Sequence, residues 1–356
     1  MKKVAILLPS LQVGGAERLV YEEVSFLRHD PRFYFEIHVV FGPGHMYNKF
    51  LELGIPVHVW NAQHKSLHTI LTCLKIVFYL RQNRFDILHS HLLYIIGPWM
   101  GLFAGTKVIT TDHSNTRYSF MERLSLRRSD ILFGCSEQVL KGLIDIIPEK
   151  KLKLLYNAIR PITSNCIQSK NILNRLSLRN DDKVVLTLGR LTRQKGYDVL
   201  VEAFKKVVGK EPNAVLLIGG DGPDREILEQ QIMTLKLQKH VRLLGIVNDV
   251  NELFEICEIY VNSSRFEGLP MTILEAMAHK KPIVSTRIGG NSEVVIHGKT
   301  GILVEPERSD LLSDAILALL GDIGLQRKLG GAAFELFENN YTIEKHCKAL
   351  ASFYLA

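Results

Sequence analysis

The chain has 356 residues, of which 46% are hydrophobic and 23% are charged, and its formal net charge is +7 at pH 7. These are ordinary values for a globular protein, and the length predicts two domains rather than a single core. No apolar run approaches the roughly 18 residues of a membrane-spanning helix. The five cysteines form no C-x-x-C pair, which argues against both a disulfide framework and a zinc site.

The basic residues are concentrated in the first half of the chain. Residues 1–170 hold 21 Lys and Arg against 13 Asp and Glu, whereas the remainder is close to neutral. Such asymmetry predicts an anionic partner: a nucleic acid, an acidic membrane surface or a phosphate-bearing substrate. The scattered cysteines are typical of a reducing, cytoplasmic setting.

Short apolar runs alternate with longer helical patterns along the chain, which is typical of βα units and a parallel sheet. The first run stops at Pro9 and continues into a glycine turn, so we interpret it as a strand and not as a signal peptide. Strands are predicted at 4–8, 37–41, 57–60, 86–89, 107–111, 130–134, 152–155, 183–189, 214–219, 241–244, 258–261, 282–285 and 302–304. A polar stretch at about 157–181 then separates two doubly wound domains, and the cleft between them is the expected site.

The loop after the first predicted strand contains Gly14 and Gly15, which allow close approach to the backbone before a helix begins near Ala16. A dinucleotide-binding loop would need G-x-G-x-x-G here and an acidic residue about 20 positions later. Because that pattern is missing, the glycine pair alone is a weak signal.

Two basic groups follow in the first half. The segment 65–84 has apolar residues at helical spacing, includes Lys65 and Lys75, and has no acidic residue. It is either an amphipathic helix on an anionic membrane or a helix packed on the sheet with solvated lysines. The second group consists of Arg117, Arg123, Arg127 and Arg128. Together the two groups are candidates for holding a lipid diphosphate acceptor at a membrane surface.

Three further candidates lie just beyond predicted strand ends, where ligands bind in parallel sheets. His113 is placed to donate to a phosphate or a sugar, although it is equally a candidate structural histidine. Arg190 offers a planar fork of donors for phosphate oxygens, and Lys195 offers a mobile point charge. Together they are able to offset the charge of a diphosphate without a metal.

The stretch 263–279 follows a buried strand and opens a helix at about Thr272. It places Glu267 in the loop and Glu275 one turn into the helix. The tight backbone between the loop carboxylate and the helix is formed by Gly268, Leu269 and Pro270. A helix N-terminus attracts phosphate, and carboxylates accept from sugar hydroxyls, which is the chemistry of a nucleotide sugar. Thr272 and Glu275 are also spaced as a capping box, which would explain both residues without a ligand.

The pair Glu267 and Glu275, the Gly-Leu-Pro after the first, and the motifs that continue from Pro282 to Gly301 resemble the family 4 retaining glycosyltransferases of GT-B fold. The resemblance is specific in the second half of the chain and looser toward the N-terminus. It implies an α/β fold with two doubly wound Rossmann-like domains facing a central cleft. The implied segments are an acceptor-binding domain at 1–165, a nucleotide-sugar-binding domain at 178–338, and a C-terminal helix at 339–356 that crosses back to the first domain.

The resemblance also implies roles for individual residues. Arg190 and Lys195 would bind the donor diphosphate, and His113 would contact the transferred sugar and its phosphate. The loop with Gly14 and Gly15 would approach the donor phosphates and the acceptor.

Three more roles concern the donor. The backbone near Val247 is expected to hold the base, and Glu275 to accept from the ribose diol. Glu267 is expected to orient the transferred sugar.

The predicted function is therefore a retaining glycosyltransferase that acts on a lipid-linked or growing glycan in cell-surface polysaccharide synthesis. A UDP-sugar donor is favoured, with an N-acetylhexosamine as its sugar, and GDP-mannose is the second choice. No metal or other cofactor is expected. We expect a cytoplasmic protein in peripheral contact with the inner face of the membrane, without nucleic-acid binding. The alternatives are a GT-B-fold epimerase or phosphorylase and a non-catalytic sugar-binding scaffold.

Overall fold

The computed structural model describes residues 1–12, 14–63, 67–113, 118–161, 169–247 and 249–356. Lys65 and Arg117, two of the predicted basic residues, lie outside these ranges. The chain divides into two compact units, one formed by Met1–Arg160 with Thr342–Ala356 and the other by Pro161–Tyr341.

The first unit is built on a single parallel sheet. Its strands are β1 Lys2–Ser10, β2 Phe33–Gly42, β3 Val57–Val59, β4 Ile87–His91, β5 Lys107–Asp112, β6 Ile131–Gly134 and β7 Leu152–Leu154. They pair in the order β3-β2-β1-β4-β5-β6-β7. The centre of β1, from Val4 to Leu8, is fully buried, because a parallel sheet is covered on both faces.

Helices connect these strands. They are α1 Gly15–Leu27, α2 Tyr47–Glu52, α3 Leu67–Gln82, α4 Gly97–Ala104, α5 Phe120–Leu126 and α6 Glu137–Lys141. Helix α1 is amphipathic: its apolar residues Leu19, Val20, Val24 and Leu27 recur at helical spacing and are buried. The helix begins at Gly15, one residue before the predicted start.

The second unit repeats the arrangement with six strands. They are β8 Lys183–Leu188, β9 Ala214–Gly219, β10 Val241–Gly245, β11 Ile259–Asn262, β12 Ile283–Thr286 and β13 Ile302–Val304. They pair in the order β10-β9-β8-β11-β12-β13, and every pairing is parallel. All thirteen predicted strands are therefore present, and the prediction of two doubly wound α/β sheets is confirmed.

The helices of the second unit are α7 Ser169–Arg175, α8 Tyr197–Lys210, α9 Arg225–Thr234, α10 Asn251–Ile256, α11 Met271–Ala278, α12 Asn291–Val294, α13 Ser309–Leu320 and α14 Ile323–Asn340. Strands β8 and β11 are direct neighbours although about 70 residues separate them in the sequence. Because both strands run in the same direction, the loops that follow them lie at the same edge of the sheet.

The last helix, α15 Ile343–Leu355, belongs to the first unit. Cys347, Leu350 and Tyr354 are part of the same buried cluster as β1 and α1. Tyr354 also bonds through its hydroxyl to Nδ1 of His89 at 2.7 Å. The chain leaves the first unit after Arg160 and returns to it at Thr342, and Ile159 forms a parallel β-bridge with Thr342.

Candidate functional site

The loops after β8 and β11 meet through Lys195 and Glu267. Lys195 Nζ lies 2.5 Å from Glu267 Oε1, and Ser264 Oγ donates to the same oxygen at 2.6 Å. Glu267 is only 7% exposed. A buried carboxylate needs such partners, because its charge is otherwise expensive to remove from water. The structure thus brings together two of the predicted site residues and adds Ser264, which was not among the predicted site residues.

Two hydrogen bonds to backbone oxygens also join the two loops. Arg265 N donates to Gln194 O at 2.7 Å, and Ser263 Oγ donates to Lys195 O at 2.8 Å. Gly196 has a φ of 62°, and a Cβ at this position would lie 2.2 Å from Ser263 O. Only glycine suits this position, since any side chain would separate the loops.

Arg190 lies in the same loop as Lys195 but in a different environment. Its side chain is exposed and makes no hydrogen bond or ion pair with the residues that the structure describes. The two predicted phosphate-binding cations are therefore not equivalent, because Lys195 is held by Glu267 while the guanidinium of Arg190 remains in solvent.

Helix α11 follows the loop that carries Glu267. It begins at Met271 after Pro270, and no side chain caps its N-terminus. Thr272 is therefore inside the first turn, and the predicted capping box between Thr272 and Glu275 is not formed. This alternative was wrong because a capping box would make Thr272 the N-cap residue, whereas the N-cap residue is Pro270, two positions earlier. Glu275 is buried one turn into the helix, as predicted.

The backbone from Gly268 to Pro270 packs against the loop after β12. A Cβ on Gly290 would lie 1.6 Å from Gly268 O, and one atom of Leu269 is also close, at 3.1 Å. The two loops are therefore able to touch because Gly290 has no side chain.

Val247 lies beyond the end of β10, beside the end of β9. Its Cγ2 is 3.0 Å from the position that a Cβ on Gly219 would take. Gly220 has a φ of 136°, and a Cβ there would lie 1.9 Å from Gly189 O. The loops after β8, β9 and β10 therefore lie close together at this edge, next to Arg190.

His113 follows β5 in the first unit. Its Nε2 lies 2.9 Å from His91 Nδ1, and its backbone N–H donates to Tyr94 Oη at 3.2 Å. Burial lowers the pKa of His113 to about 3, so its imidazole is neutral. The sequence reasoning missed His91; the available signal was the alternation of His89 and His91 on a buried strand.

Gly14 and Gly15 form the start of α1, with Gly14 as the N-terminal cap residue in an extended conformation. A Cβ on Gly14 would lie 2.3 Å from Glu17 Oε2. Glu17 is buried, and this burial raises the pKa of its carboxyl group. The glycine therefore leaves room for the Glu17 carboxylate, a role that the sequence did not indicate.

The described basic residues that the sequence singled out in the first unit have different surroundings. Lys75 is exposed on α3, whereas Arg127 Nε donates to Ile146 O at 3.0 Å. Arg123 Nε donates to Tyr118 O at 3.2 Å, and the Arg128 guanidinium lies 4.8 Å from the centre of the Trp99 ring. Among the described residues, no helix has both the length and the apolar character that a membrane span requires.

The described residues include one group of three potential metal ligands, Glu36, His38 and His58, whose ligand atoms lie within 4.8 Å of one another. Trp60 Nε1 donates to His38 Nδ1 at 3.3 Å. Because an indole nitrogen only donates, His38 Nδ1 accepts, and the proton of this neutral ring is on Nε2. Nε2 lies 3.5 Å from Glu36 Oε2 and has no lone pair for a metal. This group is therefore a hydrogen-bond network.

Two doubly wound parallel-sheet units, with cations and carboxylates at the carboxyl ends of the strands of the second, are the architecture of the GT-B fold. A family model described as Glycosyltransferase Family 4 matches residues 13–161, and one described as Glycosyl transferases group 1 matches residues 168–335. The chain belongs to the family 4 glycosyltransferases.

Several known proteins are similar to the chain. The N-acetyl-alpha-D-glucosaminyl L-malate synthase of Bacillus anthracis is 27% identical over 74% of this chain and 73% of its own length. The lipopolysaccharide core biosynthesis glycosyltransferase LpsE of Rhizobium meliloti is 24% identical over 93% of both chains. The crystal structure of Anabaena HepE in complex with UDP and glucose has a TM-score of 0.87 at 21% identity, over 99% of both chains. This likeness shows the GT-B fold.

Buried histidines predict that the first unit is sensitive to acid. Burial lowers the pKa of His89 and His113 to about 3 and that of His91 well below 6.5. Below about pH 6.5 the unfolded chain therefore binds more protons, and stability that is present above this pH is lost as the pH falls toward 3. We expect the free energy of unfolding to fall on the order of 1 kcal/mol per pH unit for each such histidine. Tryptophan fluorescence in urea titrations measures the free energy of unfolding of the first unit, since both tryptophans lie in this unit.

Two variants serve as a test pair. His89→Gln removes one buried imidazole and should flatten the dependence on pH, whereas His29→Ala, at an exposed position, should leave it unchanged. An unfolding free energy that is the same at about pH 7.5 and about pH 5 would contradict the prediction.

Proposed function

We propose that the protein is a retaining glycosyltransferase that moves a sugar from a UDP-sugar to a hydroxyl of a lipid-linked or growing cell-surface glycan. The observation that carries this proposal is the pairing of Lys195 with Glu267, next to the exposed Arg190, at the carboxyl ends of two neighbouring strands. Cations and a carboxylate in one place suit a substrate that has a diphosphate next to sugar hydroxyls.

The choice of donor rests on proteins that resemble the chain. The Anabaena HepE structure holds UDP and glucose, and the name of the Bacillus anthracis relative refers to an N-acetylglucosaminyl group. A UDP-N-acetylhexosamine is therefore our first choice and GDP-mannose the second. The LpsE relative acts in lipopolysaccharide core biosynthesis by name, which supports a surface glycan as the acceptor.

In the proposed reaction the bond between the sugar carbon and the leaving diphosphate breaks, and the acceptor oxygen bonds to the same face of that carbon. The acceptor proton goes to an oxygen of the leaving phosphate. Arg190 and Lys195, with the N-terminus of α11, offset the charge of the diphosphate, so no metal is required. Lys195 exchanges the Glu267 carboxylate for phosphate oxygens, which frees Glu267 to orient the sugar. Glu275 accepts from the ribose, and His113 contacts the transferred sugar.

The donor is tested first by binding. A ligand that binds only the folded protein raises its melting temperature, by an amount equivalent to nearly 3 kcal/mol at a concentration of about 100 times Kd. Among UDP-, GDP- and ADP-linked sugars, we expect UDP-N-acetylhexosamines to give the largest rise. If a GDP-sugar gave the largest rise instead, the choice of donor would be wrong while the proposed reaction would stand.

The catalytic assignment is tested by substitution at the ion pair. We expect Lys195→Ala and Glu267→Gln each to lower kcat by about 100-fold or more, because each removes a charge that acts on the donor. The measurement is the release of UDP with and without acceptor.

A matched control lies at the opposite end of the same strand. Lys183 Nζ forms an ion pair with Glu211 at 2.7 Å where β8 begins, and Lys183→Ala should leave turnover nearly unchanged. Full turnover by both site variants would exclude the assignment.

We further propose that the first unit docks on an anionic membrane through an apolar face of α3. This face consists of Leu67, Ile70, Leu71, Leu74 and Phe78, which are between 49% and 70% exposed. The opposite side of the helix is buried through Thr72, Ile76 and Leu80. The helix is therefore packed on the rest of the unit, as one of the two interpretations predicted, and yet its outer face is also apolar.

Neighbouring helices also expose apolar side chains. Helix α4 packs on α3 and exposes Phe103, while α5 packs on α4 and exposes Phe120 and Met121. Exposed basic residues accompany them, among them Lys75 and Arg128. An apolar surface with basic residues around it suits a bilayer with anionic head groups. Such an interface is also where a lipid-linked acceptor is found.

The docking face is tested by sedimentation with vesicles of anionic phospholipid. Phe78→Glu should reduce the bound fraction at least about tenfold, because it removes a large apolar side chain and adds a charge that the lipid repels. Ile227→Glu, at an exposed apolar position on α9 in the second unit, is the control and should bind as the unmodified protein does. Binding to DNA but not to vesicles would show that the basic half serves a nucleic acid instead.

A further inference from the structure

Arg265 lies two residues before Glu267, and its guanidinium is completely occupied. An arginine side chain has five N–H donors. Two of them bond to Asp198, from Nη1 at 2.9 Å and from Nη2 at 2.8 Å. Another two bond to Glu307, from Nη2 at 3.0 Å and from Nε, and the fifth, on Nη1, bonds to Arg193 O at 2.7 Å. No donor is left for a phosphate.

The partners of Arg265 come from three different segments. Arg193 lies in the turn that carries Lys195, Asp198 lies in the first turn of α8, and Glu307 follows β13. The side chain is only 18% exposed, although both carboxylates that it binds are about half exposed. The largely buried side chain of Arg265 therefore joins the loop after β11 to the turn with Arg193, to the start of α8 and to the segment after β13.

The backbone around Arg265 carries the same contact. Its N–H bonds to Gln194 O at 2.7 Å, and Gln194 Nε2 returns a bond to Phe266 O at 3.0 Å. Gln194 directly precedes Lys195, and Phe266 directly precedes Glu267. We therefore expect a shift of Arg265 to move both members of the ion pair.

We propose that Arg265 is a positioning residue that holds the loops after β8 and β11 together so that Lys195 and Glu267 meet. It does not bind the donor itself. Its effect on turnover rests on the proposed function of that pair, whereas its effect on the loops does not.

An arginine near a diphosphate could bind the phosphate or hold protein segments together. The substitution Arg265→Lys distinguishes these two roles. Lysine keeps the charge but has three donors and no planar fork, so it is able to bind a phosphate but not to hold three segments. We expect Arg265→Lys and Arg265→Ala each to lower kcat/KM at least about tenfold, with most of the loss in kcat. Arg179→Lys is the matched control, since Arg179 binds Asp182 and Asn213 at the amino ends of β8 and β9.

Hydrogen exchange without any substrate provides the second readout. The amides of Lys195, Gly196 and Arg265 are bonded within these loops and should exchange at least about tenfold faster in Arg265→Lys than in Arg179→Lys. This result would support the proposal even if the protein proved not to use a UDP-sugar. Unchanged exchange, or faster exchange with unchanged kcat/KM, would overturn it.

Two milder variants are available in case the Arg265 variants do not fold. Asp198→Asn and Glu307→Gln keep the shape of exposed partners and remove one charge each. The double variant should also have faster amide exchange in these loops and a lower kcat, each by a smaller factor than in the Arg265 variants. A double variant that behaves as the unmodified protein would contradict the proposal.

Discussion

Glu267 is a charged side chain that the fold buries, and a buried carboxylate is stable only when it is paired and hydrogen-bonded. Lys195 and Ser264 meet this need, and Lys195 is 72 residues away in the sequence. The pair therefore forms only if β8 and β11 are neighbours and run in the same direction. The doubly wound order of the second unit provides this, because later strands are added on the other side of the first one.

The same pairing requires that loops approach each other closely. Gly196, Gly220 and Gly290 each lie where a Cβ would be within 2.2 Å of a backbone oxygen of another loop. Side chains at these positions would push the loops apart, and the short contacts around Glu267 would be lost. Glycine at these sites thus allows one loop of the protein to pack directly against another.

Much of the fold was predictable because the signals are local. Apolar runs of three to seven residues between turns mark buried strands, and all thirteen were found where the sequence placed them. Local spacing failed at Thr272 and Glu275, where the pattern of a capping box is present but the helix begins at Met271. A spacing rule depends on the first helical residue, and Pro270 together with the packing of the loop decides where that residue lies. His91 and Arg265 were missed for another reason, since their partners are 22 to 72 residues away.

The sequence by itself determined the fold class, the membership of the glycosyltransferase family and the set of residues near the strand ends, because these depend on periodicity and on motifs within short segments. The tertiary structure alone decided which of those residues touch. Lys195 is bound to Glu267 while Arg190 stays in solvent, and all five donors of Arg265 are bonded to Arg193, Asp198 and Glu307. The functional groups of the stretch from Ser263 to Glu275 are therefore evident from the sequence. Their geometry depends on strands that become neighbours only when the sheet forms.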